Sequence, residues 1–124
     1  AFNFDSAAGI NYTVDVTKPS GEKINITTLA DGSTFDENKI YKVVMNSYRG
    51  NGGGELLTKG AGIPRDSIPS RIIFVSGREQ RYYLIKYIEE KKQLNPLPGN
   101  NWRFVPDEWA KPAIERDRKI IFGE

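Results

Sequence analysis

Residues Ile10 to Thr17 read INYTVDVT and alternate without a break. Tyr12, Val14 and Val16 fall on one face, and Asn11, Thr13, Asp15 and Thr17 on the other. That is the period of a strand buried on one side. "KPSG", Lys18 to Gly21, follows, with Pro19 where a type I turn is preset by a fixed φ. A second alternation comes next, Ile24 and Ile26 against Asn25 and Thr27. Two alternating runs across a short turn predict a hairpin with one wet face.

The rest of the chain mixes both periods. "ADGST", Ala30 to Thr34, is another turn. Ile40 to Asn46, IYKVVMN, is dense in β-branched and aromatic residues and predicts the strongest strand. It runs straight into a glycine loop, MNSYRGNGGGELL. "GGELLTKG" predicts one or two turns of helix stopped by Gly60, and "AGIPRDSIPS", Ala61 to Ser70, predicts an irregular stretch. Arg71 to Val75, RIIFV, predicts a short buried strand. "SGRE", Ser76 to Glu79, matches a capping box, so a helix is expected over Gly77 to Gln93 with Leu84, Ile85 and Ile88 as its apolar stripe. "NPLPGNN" stops it, and Trp102 to Val105 predicts a last strand. In the charged tail Pro112 suits the first turn of a short helix, and Ile120 to Phe122 are expected to dock back on the domain. The pattern reads as an α+β, or mixed α/β, fold. A single domain over residues 1–124 is expected, with its core in 2–105 and a charged tail in 106–124.

Composition removes several chemistries. The 124 residues, 38% hydrophobic and 27% charged, suit one domain with a buried core. A net charge of +2 does not indicate a nucleic acid polymer as partner. No apolar run approaches the ~20 residues of a membrane span. The absence of cysteine excludes disulfides and thiolate metal sites. The absence of histidine removes the commonest general base and metal ligand, so no metal or other cofactor is expected on this chain. The start at Ala-Phe-Asn-Phe predicts a processed product or a piece of something longer.

The glycine loop fits neither phosphate-binding pattern. Lys59 is followed by Gly60, with no Ser or Thr where the phosphate loop needs one. Gly50 and Gly52 give the start of a dinucleotide fingerprint, but its third glycine position is Glu55. One remaining reading is a turn whose backbone needs positive φ. The other is a nucleobase pocket. Tyr48 offers a face for stacking, worth about 1–3 kcal/mol on a base. The Asn51 amide carries donors and an acceptor for a heterocycle edge. Gly52, Gly53 and Gly54 let backbone N–H groups approach the ring.

The string YKVVMNSYRGNGGGELL, with INYTVDVTKPSGEKI upstream, resembles the C-terminal domain of the 5′-nucleotidase family. Its bacterial 2′,3′-cyclic-nucleotide 2′-phosphodiesterase/3′-nucleotidase branch is the nearer likeness. "RYYLIKYI" and "NWRF-P" are similar to that family's ending, so the resemblance covers most of residues 2 to 109. It implies a division of labour. A metallophosphoesterase domain, in cis or on another chain, holds two divalent metals and hydrolyses the ester; the C-terminal domain holds the nucleotide or nucleoside. Tyr48 would be one of two rings around the base, and Asn51 would meet the base edge. Gly54 stands where many 5′-nucleotidases have a base-binding Asp, so that contact does not carry over. The second ring and the substrate-holding arginines belong to a region upstream of the match. The resemblance thus implies no catalytic residue on this chain, no hydrolysis by the chain alone, and a periplasmic or extracytoplasmic home.

Other residues leave alternatives open. Arg49 is a candidate for a phosphate or for the partner domain, and equally for a solvated surface charge. Trp102 and Phe104 are core residues or a substitute ring. Tyr82, Tyr83 and Tyr87 suit packing, and "ERDRK", Glu115 to Lys119, a wet helix face. The rival functions are a binding or interaction module of the same fold without nucleotide affinity, and a metal-independent enzyme using Tyr48, Arg49 or Lys59.

Overall fold

The computed structural model describes residues 5–123. The elements run β1 (Ile10–Asp15), β2 (Ile24–Leu29), α1 (Ser47–Gly50), α2 (Ile68–Arg71), α3 (Gln80–Lys91), β3 (Trp102–Val105) and α4 (Asp107–Phe122), with short tight turns of helix around the glycines. The fold is α+β. The chain forms two compact units, one of Ala1–Lys39 with Pro98–Glu124 and the other of Ile40–Leu97.

The first unit is built on the predicted hairpin. β1 lies between its partners in the order β2-β1-β3, antiparallel to β2 and parallel to β3. Tyr12 stands opposite Ile26 and Trp102, and Val14 opposite Ile24 and Phe104, so the apolar alternation makes two rows on one face. Tyr12 and Val14 are buried there. Trp102 stacks on Tyr12 with centroids 6.0 Å apart at 13°, and Phe104 meets Trp102 edge-on at 5.2 Å. Both rings therefore serve the sheet face, as offset and T-shaped pairs do in cores.

The pairing is irregular at one point. Between Asn11 and Tyr12 the register skips Thr27. The Thr27 hydroxyl donates to the Asn11 carbonyl at 2.9 Å, and Asn11 Nδ2 donates to Thr28 Oγ1 and the Leu29 carbonyl at 2.8 and 3.0 Å. The bulge is thus sealed by side chains. Asn101 ties the start of β3 to β1: its Nδ2 donates to the carbonyls of Ala7 and Ile10, and its own carbonyl accepts from Tyr12 N.

α4 starts earlier than Pro112 suggested. Pro106 caps it, Asp107 and Glu108 occupy its first turn, and Ala110 is buried. Pro112 sits inside the helix and removes one backbone donor there. The Asp107–Lys111 pair at 2.8 Å supports the first turns, and Gly123, at φ 71°, ends the helix. Ile120, Ile121 and Phe122 are exposed, so the expected docking of the tail is not seen.

The second unit departs most from expectation. Ile40 to Asn46 is not a strand, and neither is Ile72 to Val75. A strand needs a paired strand for its backbone groups, and among the described residues neither run joins the β2-β1-β3 sheet. The capping box is also absent. Ser76 Oγ donates to the Arg78 carbonyl at 2.8 Å, which takes it out of a capping role. α3 begins after Glu79 instead, and Leu84, Ile85 and Ile88 remain exposed.

Candidate functional site

The glycine loop is assembled by its own backbone. Asn46 Oδ1 accepts from Arg49 N at 2.9 Å and caps α1. Gly50 N and Asn51 N donate to the carbonyls of Asn46 and Ser47, and Gly52 N to that of Arg49. One helical turn is then broken by left-handed residues, Gly52 at φ 84° and Gly54 at φ 67°. Those two glycines answer a conformational demand. Glu55 follows at φ 61°, unusual for a side-chain-bearing residue, and its carboxylate pairs with Lys59 at 2.9 Å on the surface.

Gly53 is glycine for a different reason. A Cβ there would lie 2.6 Å from Tyr48 Cε2 and 2.6 Å from the Tyr48 carbonyl oxygen. The Tyr48 ring therefore lies directly on the Gly53 backbone. Arg49 fixes the same contact. Its side chain is buried, Nη1 donates to the Gly53 carbonyl at 3.3 Å, and its guanidinium carbon is 5.4 Å from the Tyr48 ring centroid. Arg49 is thus not the solvated surface charge that was one of its readings. Tyr48 as a residue is 63% exposed.

The structure brings Tyr48, Arg49 and Gly53 into contact. Gly52 and Gly54 shape the turn, and Asn51 ends α1 with an exposed side chain that makes no hydrogen bond among the described residues. Two residues of the site were missed in the sequence. Ile68 Cδ1 would lie 3.1 Å from a Cβ on Gly52, and Arg65 Nη1 would lie 3.6 Å away, so the segment read as irregular covers the loop. Pro69, at the start of α2, was the available signal for a helical turn there.

Chemically, the loop offers an exposed aromatic ring, an exposed amide and a glycine floor. Among the described residues no group of three His, Cys, Asp or Glu side chains could hold a metal ion, and no helix is long and apolar enough to cross a membrane.

A loop of this build following an apolar run, with the β1–β2 hairpin earlier in the sequence, is matched by a known class. Residues 2–59 match the family model of the 5′-nucleotidase, C-terminal domain. Through that segment the chain belongs to the 5′-nucleotidase C-terminal domain family. It is 35% identical over 117 residues to the trifunctional nucleotide phosphoesterase protein YfkN of Bacillus subtilis, covering 86% of this chain and 8% of that protein. It is 33% identical over 121 residues to the 2′,3′-cyclic-nucleotide 2′-phosphodiesterase/3′-nucleotidase of Salmonella typhimurium, covering 85% of this chain and 17% of the relative. The protein of the same description from Haemophilus influenzae is 30% identical over 122 residues, again covering 85% and 17%. The chain thus spans less than a fifth of the length of these relatives. No solved structure matches it.

Proposed function

We propose that the chain is the nucleoside-recognition part of a metal-dependent nucleotide phosphoesterase of the nucleotidase or cyclic phosphodiesterase kind. The observation that carries this reading is the Tyr48 ring, in contact with Gly53 and Arg49 and yet largely exposed. A base stacks on the ring. The Asn51 amide meets its edge, and Gly52 to Gly54 keep side chains away from it. Arg49 acts as a positioning residue through Tyr48. In this reading two divalent metals and the hydrolytic step belong to a separate metallophosphoesterase domain. The contribution of this chain is to orient the ester, which lowers the entropic part of the barrier. An extracytoplasmic home goes with that role.

Isothermal titration of adenosine and its 3′-monophosphate into the complete gene product, with and without Tyr48→Ala, tests this. Loss of one stacked face, about 1–3 kcal/mol, raises Kd roughly 5- to 150-fold. An unchanged Kd for both ligands removes the stacking role.

A further inference from the structure

One cation beside the glycine turn has no task so far. A Cβ on Gly52 would lie 3.6 Å from Arg65 Nη1 and 3.7 Å from Arg65 Cζ, so the guanidinium rests against the loop. Its own segment puts it there. Ser67 N donates to the Pro64 carbonyl at 3.0 Å and Ile68 N to that of Arg65, which makes a tight turn of helix. Ile68, buried beside Gly52, pins that turn to the loop. Gly52 adjoins Gly53, on which the Tyr48 ring lies. Adjacent Cα atoms are about 3.8 Å apart, so Arg65 Cζ lies within about 13 Å of Tyr48 Cε2. A purine stacked on the ring, one hydrogen bond and a small swing of an exposed side chain cross that distance. Arg49 spends its Nη1 on the Gly53 carbonyl. Arg65 is exposed, and its guanidinium makes no hydrogen bond or ion pair among the described residues. The acids near it in sequence or on the loop are engaged elsewhere: Glu55 holds Lys59 at 2.9 Å, and Asp66 Oδ1 accepts from Ser67 Oγ at 3.3 Å. A guanidinium has donors and no acceptor, so it faces only acceptors. With the reacting ester at the metals of another domain, the acceptors left for Arg65 are those of the base edge.

We propose that Arg65 is a specificity-determining residue that reads the base stacked on Tyr48 and selects 6-keto purines over adenine. This inference rests on the nucleoside-recognition reading above. Guanine and hypoxanthine present O6 and N7, two acceptors side by side that a guanidinium meets with two parallel N–H groups. Adenine presents N7 beside the N6 amino group, a donor that turns its hydrogen toward the guanidinium. The Asn51 amide carries donors and an acceptor together, so it suits either base and does not discriminate. The choice of base therefore falls to Arg65.

Isothermal titration of inosine and of adenosine into the complete gene product tests this, because the two nucleosides differ only along the N1–C6 edge. The parent is expected to bind inosine more tightly, by about 5- to 150-fold. Arg65→Met removes that preference by weakening inosine and leaves the Kd for adenosine unchanged. Arg65→Gln, whose amide both donates and accepts, moves the ratio toward adenosine. Both variants keep the Gly52 amide at its parent exchange rate, since an exposed side chain is altered. Equal affinity for the two nucleosides in the parent overturns the proposal, as does a preference that survives Arg65→Met. A loss in Arg65→Met confined to the 3′-monophosphates of both nucleosides assigns the cation to the phosphate and also overturns it. Faster Gly52 exchange in both variants makes Arg65 a support of the loop, with the same result. Tyr48→Ala keeps this inference apart from the reading beneath it. If Tyr48→Ala weakens both nucleosides while Arg65→Met leaves their ratio alone, the selection by Arg65 fails by itself. If Tyr48→Ala weakens neither, the stacking reading fails and the selection with it.

Discussion

The Tyr48 ring rests on Gly53 so closely that a Cβ at Gly53 would stand 2.6 Å from Tyr48 Cε2. Real Cβ atoms do not tolerate that approach, and the Tyr48 carbonyl oxygen blocks the other way out. Gly53→Ala therefore tips the ring or unwinds the turn. Such crowding costs about 1–3 kcal/mol, and the base affinity falls with it, by roughly 5-fold or more. Gly50→Ala is the control, because a Cβ there meets only Met45 Cγ at 3.8 Å, an ordinary contact. Adenosine titration and thermal melting of both variants check the contrast. Equal behaviour means that the ring is not held by this contact.

Arg49 links the helical turn to the glycine turn behind the ring. Arg49→Met keeps much of the stem and deletes the donor to Gly53. Leaving that carbonyl without its partner costs about 1–3 kcal/mol. Arg49→Lys does not restore it, because an ammonium cannot lie flat against Tyr48 while reaching Gly53. If Arg49 acts only through position, both variants lower affinity for adenosine and for its 3′-monophosphate by the same factor. A loss confined to the monophosphate shows instead direct contact with the phosphate.

How far these features were legible in the sequence depended on where their partners lie. The β1–β2 hairpin was readable because alternation and turn are local, and the register pairs Tyr12 with Ile26 as the pattern requires. The glycine loop was readable as a loop, since positive φ at Gly52 and Gly54 is a local demand. The strand expected at Ile40 to Asn46 was not realised, because strand-forming composition records a fit to a pleated surface and says nothing of whether that surface is present. Ser76 misled for a similar reason: its hydroxyl donates to the Arg78 carbonyl, and sequence spacing does not say which way a hydroxyl turns. The burial of Arg49 and the covering of Gly52 by Ile68 arise from the curl of the loop, which no periodicity encodes.

Acid should weaken the turns. Asp15 Oδ1 accepts from Thr17 Oγ1 and Thr17 N at 2.7 and 2.9 Å. The Thr17 hydroxyl first, then its backbone N–H, hold the Asp15 carboxyl below its ordinary 3.8. Ser33 does the same for Asp31, and Lys111 for Asp107. A carboxyl whose folded pKa is depressed stabilises the fold above its unfolded value, and that stability is lost as pH falls through the folded one. Melting midpoints are therefore flat from pH 7 down to about 5 and drop below about 4. Replacing all three residues with Asn keeps an acceptor and removes the titration, so the triple variant shows a shallower fall. An equally steep fall in that variant assigns the acid sensitivity to other carboxyls.

Ile68 and Val44 give opposite expectations within one unit. Ile68 is buried, 5% exposed, and its Cδ1 packs over Gly52. Ile68→Ala leaves a hole above the loop and costs about 2–5 kcal/mol, nearer the lower end where the surroundings can settle inward. Val44 touches almost nothing, so Val44→Ala in the isolated chain changes stability by no more than about 0.5 kcal/mol. Both Trp102 and Trp109 lie in the other unit, so tryptophan fluorescence would miss the difference. Exchange of the Gly52 amide, which donates to the Arg49 carbonyl at 3.0 Å, reports it directly. The amide should exchange about 30-fold faster or more in Ile68→Ala and at the parent rate in Val44→Ala.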